Sequence, residues 1–362
     1  MVFCHCTPNL QSSPMKHPAI ILSLAFLISS CSESAPPPLP SPSAEISAEL
    51  QQLRDSLDVV FANEIDPNGA GVAVLVAYKG EPLFAKAYGM RNINERLPLT
   101  HTSNMRLASV SKQFTALAVL SLVDQAKLKL TDTLSKYFPA TIFEKVTVSQ
   151  LLHHTSGIAD YEMAFEEDTV THQIIENKDV LEWYMQNPPA LFEAGTAWEY
   201  SNGGYNLLAT LVEKVSGQNF ERYAEEHVFA LAEMGHSHYF NLAKPIDIPE
   251  RANCYQQDST GAWTQVDGNF LNGCVGEGAV YTSLMDFLSY DNHLRKRDIL
   301  SPASHDLIFG SRTDLLNETP SWLDFAEGRT FSYGMGWFVS DDIAYHTGGW
   351  HGTATMVMHE LD

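Results

Sequence analysis

Ser109-Val-Ser-Lys112 opens a long apolar stretch, Phe114 to Val123, and the chemistry of this chain is legible there first. A serine alcohol near pH 7 is a poor nucleophile. A lysine three residues on lies on the same helical face and can take its proton once that lysine is itself neutral. The spacing alone is weak, because Ser13-Pro-Met-Lys16 shares it and a solvated pair would satisfy it. The residues after Lys112, Gln-Phe-Thr-Ala-Leu-Ala-Val-Leu-Ser-Leu-Val, are apolar nearly all round and predict a helix buried inside a domain. Burial of a first-turn lysine lowers its pKa toward the proton-accepting form. The helix N-terminus also sets a positive dipole end beside the serine oxygen.

Two further segments supply parts the first one lacks. In Tyr200-Ser201-Asn202-Gly203-Gly204-Tyr205 the phenol can relay protons while the amide at i+2 fixes a substrate carbonyl or orients the lysine. Tyr290-Asp-Asn292 fits the same short pattern, so the flanking glycines and aromatics carry the specificity. Tyr345-His346-Thr347-Gly348-Gly349-Trp350 predicts a strand whose backbone can lie along a peptide-like substrate, with glycine allowing close approach and an N–H for an oxyanion.

In that order, Ser109-x-x-Lys112, Tyr200-x-Asn202 and His346-Thr347-Gly348 resemble the three motifs of the serine β-lactamase and penicillin-binding-protein-like superfamily. The branch is that of class C β-lactamases, D-Ala-D-Ala carboxypeptidases and related esterases. Leu151-Leu-His-His-Thr-Ser-Gly157, Phe192-x-x-Gly195 and Gly276-Glu-Gly278-Ala-Val-Tyr-Thr-Ser283 are similar to its accessory signatures, and the likeness runs from about Leu50 to the last residue. The resemblance implies a serine hydrolase that forms an acyl-enzyme at Ser109, with Lys112 and Tyr200 sharing the proton. It places the backbone N–H groups of Ser109 and Gly349 in the oxyanion hole. Asn202 would hold an amide, and His346, Thr347 and Gly348 would meet the far end of the substrate.

Histidine stands at 346 where class C β-lactamases usually place lysine. With an ordinary pKa of about 6.5 it offers no fixed cation for a substrate carboxylate. The expected substrates are therefore D-amino-acid peptides of the cell envelope or small esters. A non-catalytic penicillin-binding-like envelope protein or inactive homologue is the alternative, and a β-lactamase a weaker one. Relatives continue past the last strand-like run, Thr353 to His359, with another strand and a helix. The chain is thus expected to be cut short at its C-terminus, with two strand edges left bare.

Stepping from the site to the elements around it, apolar spacing at Ile46, Leu50, Leu53, Leu57 and Val60 predicts a helix over about 44–63. Gly71 to Gly80 and Leu83 to Tyr88 read as a hairpin turning at Lys79-Gly80. The pattern is mostly helical from Ser109 to about Gly235 and returns to glycine-punctuated strands from Gly276. The fold class is α/β (α+β): an antiparallel sheet flanked by helices, built from about 45–105 and 275–362, with an all-helical part over about 106–274 inserted. The site belongs in the cleft between the two parts.

Ahead of this catalytic domain, 45–362, lie a leader over 1–31 and a Pro/Ser-rich linker over 32–44. The apolar run Ala19 to Ile28 is too short to span a membrane, and Ser29-Ser30-Cys31 resembles a bacterial lipoprotein processing site. Cys31 is then the lipidated first residue, Met15 an alternative start, and the protein faces the periplasm from a membrane, with simple secretion as the alternative. With 362 residues, 44% hydrophobic, the chain can bury a full core, and its net charge of -22 argues against a nucleic-acid partner. The expected partner is a small-molecule or peptide substrate, and a membrane only through the lipid anchor. The histidines show no metal spacing, so no metal or cofactor is expected, and His153-His154 are read as bracing a turn near the site. Cys254 and Cys274 either pair in a bridge or remain buried free thiols.

Overall fold

The computed structural model describes residues 2–4, 47–166, 173–315 and 329–361. Met15, Cys31 and the 32–44 linker lie outside the described residues.

Nine α-helices among the described residues are labelled in chain order: α1 Ala48–Glu64, α2 Lys112–Asp124, α3 Val148–Leu152, α4 Tyr161–Glu166, α5 Asn177–Met185, α6 Asn202–Ser216, α7 Phe220–Ala224, α8 Leu284–Lys296 and α9 Pro302–Gly310. The main sheet is antiparallel and eight-stranded. Its order is Thr313–Asp314, Ser332–Tyr333, Phe338–Val339, Ile343–Trp350, Thr353–Glu360, Val2–Cys4, Val72–Tyr78, Glu81–Tyr88. This is the mixed α/β architecture the sequence predicts.

The predicted hairpin is present as Val72–Tyr78 and Glu81–Tyr88, turning through Lys79 and Gly80, both at positive φ. On one face of the sheet, Leu57, Phe61 and Ile65 of α1 and its C-cap pack on Val72, Val74 and Phe84. On the other face, Ala73, Leu75 and Ala85 join the large core around α2. Every residue of α2 from Lys112 to Leu122 is buried, which accounts for the apolar composition all round that helix. It packs on α6, α7 and α9, and each fully buried Leu, Val or Phe there contributes about 1.5 to 3 kcal/mol.

Three expectations are corrected. The part read as all-helical, about 106–274, also carries the short strands His238–Tyr239, Tyr255–Gln257 and Trp263–Gln265. The region from 276 onward is not strands alone, because α8 and α9 intervene. Their signals are local caps: Ser283 accepts from Asp286 N, and Ser301 accepts from Ser304 N just ahead of Pro302 at the first helical turn. The two strand edges expected to be bare are bridged over part of their length. Val2–Cys4, inside the segment read as leader, pairs antiparallel with Ala354–Met356 on one side and Val72–Val74 on the other.

Cys254 and Cys274 are buried free thiols, which settles the alternative left open by the sequence. No helix among the described residues is long and apolar enough to cross a membrane.

Candidate active site

The nucleophile turn is built before the helix begins. Ala108–Ser111 is a 3-10 turn running directly into α2, and in such a turn side chains three apart stand one above the other. This puts Lys112 Nζ 3.1 Å from Ser109 Oγ. Ala108 holds φ +48, a conformation costly for a residue with a Cβ and frequent where a catalytic group is being aimed. The strand Val280–Thr282 clamps the turn: Leu107 N donates to Val280 O (2.8 Å), and Val280 N donates to Ser111 Oγ (3.1 Å).

Lys112 is fully buried and its Nζ has three partners: Ser109 Oγ, Asn202 Oδ1 at 2.7 Å and the backbone oxygen of Glu277 at 2.9 Å. Burial lowers its pKa to about 8, against the opposing pull of Glu277, Glu162 and Asp160. A neutral amine has two N–H donors and one lone pair. The two carbonyl oxygens can only accept, so the lone pair is left for the Ser109 hydroxyl. The contacts therefore suit Lys112 as the acceptor of the serine proton.

Asn202 opens α6, whose N-cap Ser201 accepts from Gly204 N. Its backbone N donates to Asp160 Oδ2 (2.8 Å), and its Nδ2 donates to Glu162 Oε1 (3.1 Å). Tyr200, one step ahead of the cap, lies with its ring 4.8 Å from Lys112 Nζ. Burial pushes its phenol well above the ordinary value and Ser109 pulls it back, yet Oη closes no regular hydrogen bond. Catalytic contacts are often loose before substrate arrives.

His154 braces this segment, as the sequence reading of the His153-His154 pair expects. Its Nδ1 accepts from Ser201 N (3.1 Å), and its ring lies 4.4 Å from that of Tyr200.

On the other side, Ile343–Trp350 passes the nucleophile turn closely. A Cβ at Gly348 would lie 2.3 Å from Leu107 O and 3.1 Å from Ser109 N, so only glycine lets strand and turn meet. Thr355 Oγ1 donates to Leu107 O (2.7 Å) and ties the next strand to the same turn. His346, expected to meet the far end of the substrate, is 1% exposed; it packs among Tyr200, Tyr333 and Phe338 and contacts Tyr333 Oη through Nε2 (3.1 Å). Burial and the Lys112 charge push its pKa down to about 3, so it is neutral. Its influence runs through Tyr200 and Tyr333. Thr347 is half-buried on the same strand.

A cleft opens over these groups, lined by Ser109, Asn202 and Gly349 of the predicted set. Lys112 lies beneath its floor, fully buried, and Tyr200 is half-buried beside it. Three charged lining residues were missed by sequence reasoning: Arg106, Glu162 and Glu277. Glu277 sits within the quoted segment Gly276-Glu-Gly278, but nothing in the pattern assigned it a task. Gly276 has φ +113, and Thr115 Oγ1 donates to its oxygen (2.6 Å), so this loop is folded back onto α2. Glu162 and Arg106 carry no spacing signal at all.

The family described as Beta-lactamase matches residues 58–362. Penicillin-binding protein 4* of Bacillus subtilis (strain 168) is 30% identical over 327 residues, 86% of this chain and 70% of that protein. The crystal structure of a penicillin-binding protein from Bacillus halodurans superposes with a TM-score of 0.70 at 25% identity, covering 86% of this chain and 91% of that one. The D-amino acid amidase of Ochrobactrum anthropi SV3 shares the fold, with a TM-score of 0.66 at 19% identity over 86% of this chain and 91% of that one.

Proposed function

The chain belongs to the β-lactamase family, within the serine β-lactamase and penicillin-binding-protein-like superfamily of serine hydrolases, and from that premise we propose that it cleaves D-amino-acid amides, peptides or small esters through an acyl-enzyme at Ser109. The observation that carries this reading is the three-partner environment of Lys112 Nζ, with Ser109 Oγ at 3.1 Å and two carbonyl oxygens.

Ser109 Oγ attacks the substrate carbonyl carbon as its proton passes to the lone pair of neutral Lys112. Backbone N–H groups of Ser109 and Gly349 take the charge that develops on the carbonyl oxygen. Tyr200, beside Ser109 and over Lys112, returns the proton to the leaving group. Water then attacks the ester carbonyl, and the same lysine accepts its proton, releasing the acid and restoring Ser109. Neutral His346 supplies no fixed cation, which favours amides and esters over β-lactams. The name of the D-amino acid amidase that shares this fold supports an amide beside a D-centre.

Export through residues 1–31 with lipidation at Cys31 belongs to the same proposal and is supported by sequence pattern alone; processing there would remove the Val2–Cys4 strand from the main sheet. Palmitate labelling lost in Cys31→Ala is its expected result, and labelling retained would reject it.

The direct test is intact-mass analysis after incubation with a fluorophosphonate, beside Ser109→Ala. The expected result is one adduct on the unmutated chain and none on the variant, together with loss of turnover of p-nitrophenyl acetate. An adduct on both proteins, or turnover retained in the variant, overturns the assignment.

A further inference from the structure

Acylation at Ser109 leaves part of the cleft unused. Three carboxyl side chains, Asp160, Glu162 and Glu277, gather around one buried cation, Lys112. Asp160 is occupied with backbone: Oδ2 accepts from Asn202 N and Oδ1 from Glu162 N (3.2 Å). The other two line the cleft beside the nucleophile.

Glu277 is 8% exposed; its Oε1 accepts from Tyr161 Oη at 2.6 Å, and its Oε2 has no partner. Burial raises the pKa of this carboxyl, and a buried carboxyl oxygen without a partner is costly, a condition that a bound cation relieves. Holding Lys112 does not account for it, because Lys112 Nζ meets the backbone oxygen of Glu277 and not its carboxylate. A metal ion does not account for it either: among the described residues no group of three His, Cys, Asp or Glu converges as metal ligands. Arg106, the cation that also lines the cleft, donates from a terminal guanidinium nitrogen to Asn272 Oδ1 (2.8 Å) and not to Glu277; its Cζ lies 5.2 Å from the Trp350 ring centroid and its Nε has no partner.

We propose that Glu277, seconded by Glu162, binds the free α-ammonium of the substrate, so that the preferred acyl group is an unblocked amino-acid residue. The ammonium is one carbon from the carbonyl that Ser109 attacks. Glu277 lines the same cleft as Ser109, and its own backbone oxygen meets the lysine that contacts Ser109 Oγ. An N-acylated substrate presents one neutral N–H and added bulk, and leaves the carboxyl pair without a cation.

The arrangement also aids the chemistry. In the empty cleft the carboxyls favour a charged lysine, and a substrate ammonium takes that partnership over and leaves Lys112 free to act as base. Burial and the neighbouring Asp160 and Glu277 raise Glu162 to about 8, so an arriving ammonium replaces a proton there. The inference rests on the reading of Ser109 as the acylated residue for its place in catalysis, but the binding itself is readable without turnover.

The experiment is titration of the full chain carrying Ser109→Ala with D-alaninamide and with N-acetyl-D-alaninamide. The free amine is expected to bind about 30-fold tighter or more, the scale of completing a buried charge pair. Adding Glu277→Gln collapses the ratio toward one. If that variant does not fold, Glu162→Gln provides the second arm, and the comparison of the two ligands on Ser109→Ala stands by itself. Equal affinity, or tighter binding of the acetylated ligand, overturns the proposal. On the unmutated chain, kcat/KM for the matching p-nitroanilides follows the same order. A fluorophosphonate adduct at Ser109 with no preference for the free amine rejects only this inference. Absence of the adduct with the binding preference intact rejects only the acyl-enzyme reading.

Discussion

The two walls of the cleft are made in opposite ways. On the helical wall the chemistry is carried by side chains at the starts of α2 and α6, each fixed by several named partners, with Asn202 alone bonded to Lys112, Asp160 and Glu162. On the strand wall the contribution is an absence: Gly348 brings no Cβ where one would strike Leu107 O and Thr355 Oγ1 at 2.3 Å. One wall stores reactivity in ionisable groups whose burial tunes them. The other stores geometry in a backbone that must come close. Substitutions on the first should change which steps occur, and on the second how well the parts meet.

The contrast is sharpened most by Lys112. Lys112→Ala is expected to lower kcat/KM by ~100- to 10,000-fold, the usual range for a lost general base, with folding preserved by circular dichroism. A loss under tenfold would move the base role to Tyr200. The pH profile gives a second handle. Lys112 must be neutral to act and its pKa is lowered to about 8, so for p-nitrophenyl acetate, which carries no titrating amine, kcat/KM should climb about tenfold per unit below 8 and flatten above it. A profile flat from pH 6 to 9 contradicts the assignment.

On the strand wall, Gly348→Ala should lower kcat by ~100- to 1,000-fold, as when an oxyanion donor is displaced. It should also destabilise the fold by about 1 to 3 kcal/mol in denaturant melts, as overpacking does. Its neighbour makes the smallest effect. A Cβ at Gly349 has nothing within 4 Å, so Gly349→Ala should leave stability within about 0.5 kcal/mol. If these two adjacent glycines behave alike, the strand wall is not organised by close approach.

Legibility followed the same division. Ser109, Lys112, Tyr200 and Asn202 were found because a helix or turn fixes how residues three or two apart face one another. The apolar ring of α2 announced the burial that lowers the Lys112 pKa. Bracing by His154 was anticipated, though its bond to Ser201 N was not. Glu162 and Glu277 could not be found this way, since they reach the cleft from α4 and from a loop 115 residues apart in sequence. His346 is read as touching substrate because its motif lies on the strand expected to flank it, whereas alternation along the strand turns its ring into the aromatic cluster of Tyr333 and Phe338. The helices α8 and α9 were missed for a local reason: their Ser caps were outweighed by the glycines nearby.

Residue type and short spacing thus point to the family and to the proposed nucleophile and base, because those depend on contacts within one turn or one strand. The α/β class follows from the alternation of helical and strand patterns. The charge state of Lys112, the inward turn of His346 and the unpartnered oxygen of Glu277 depend on which distant segments share a low-dielectric space, and no period in the chain encodes that. Folding brings those segments together, and their mutual burial converts ordinary side chains into a tuned site.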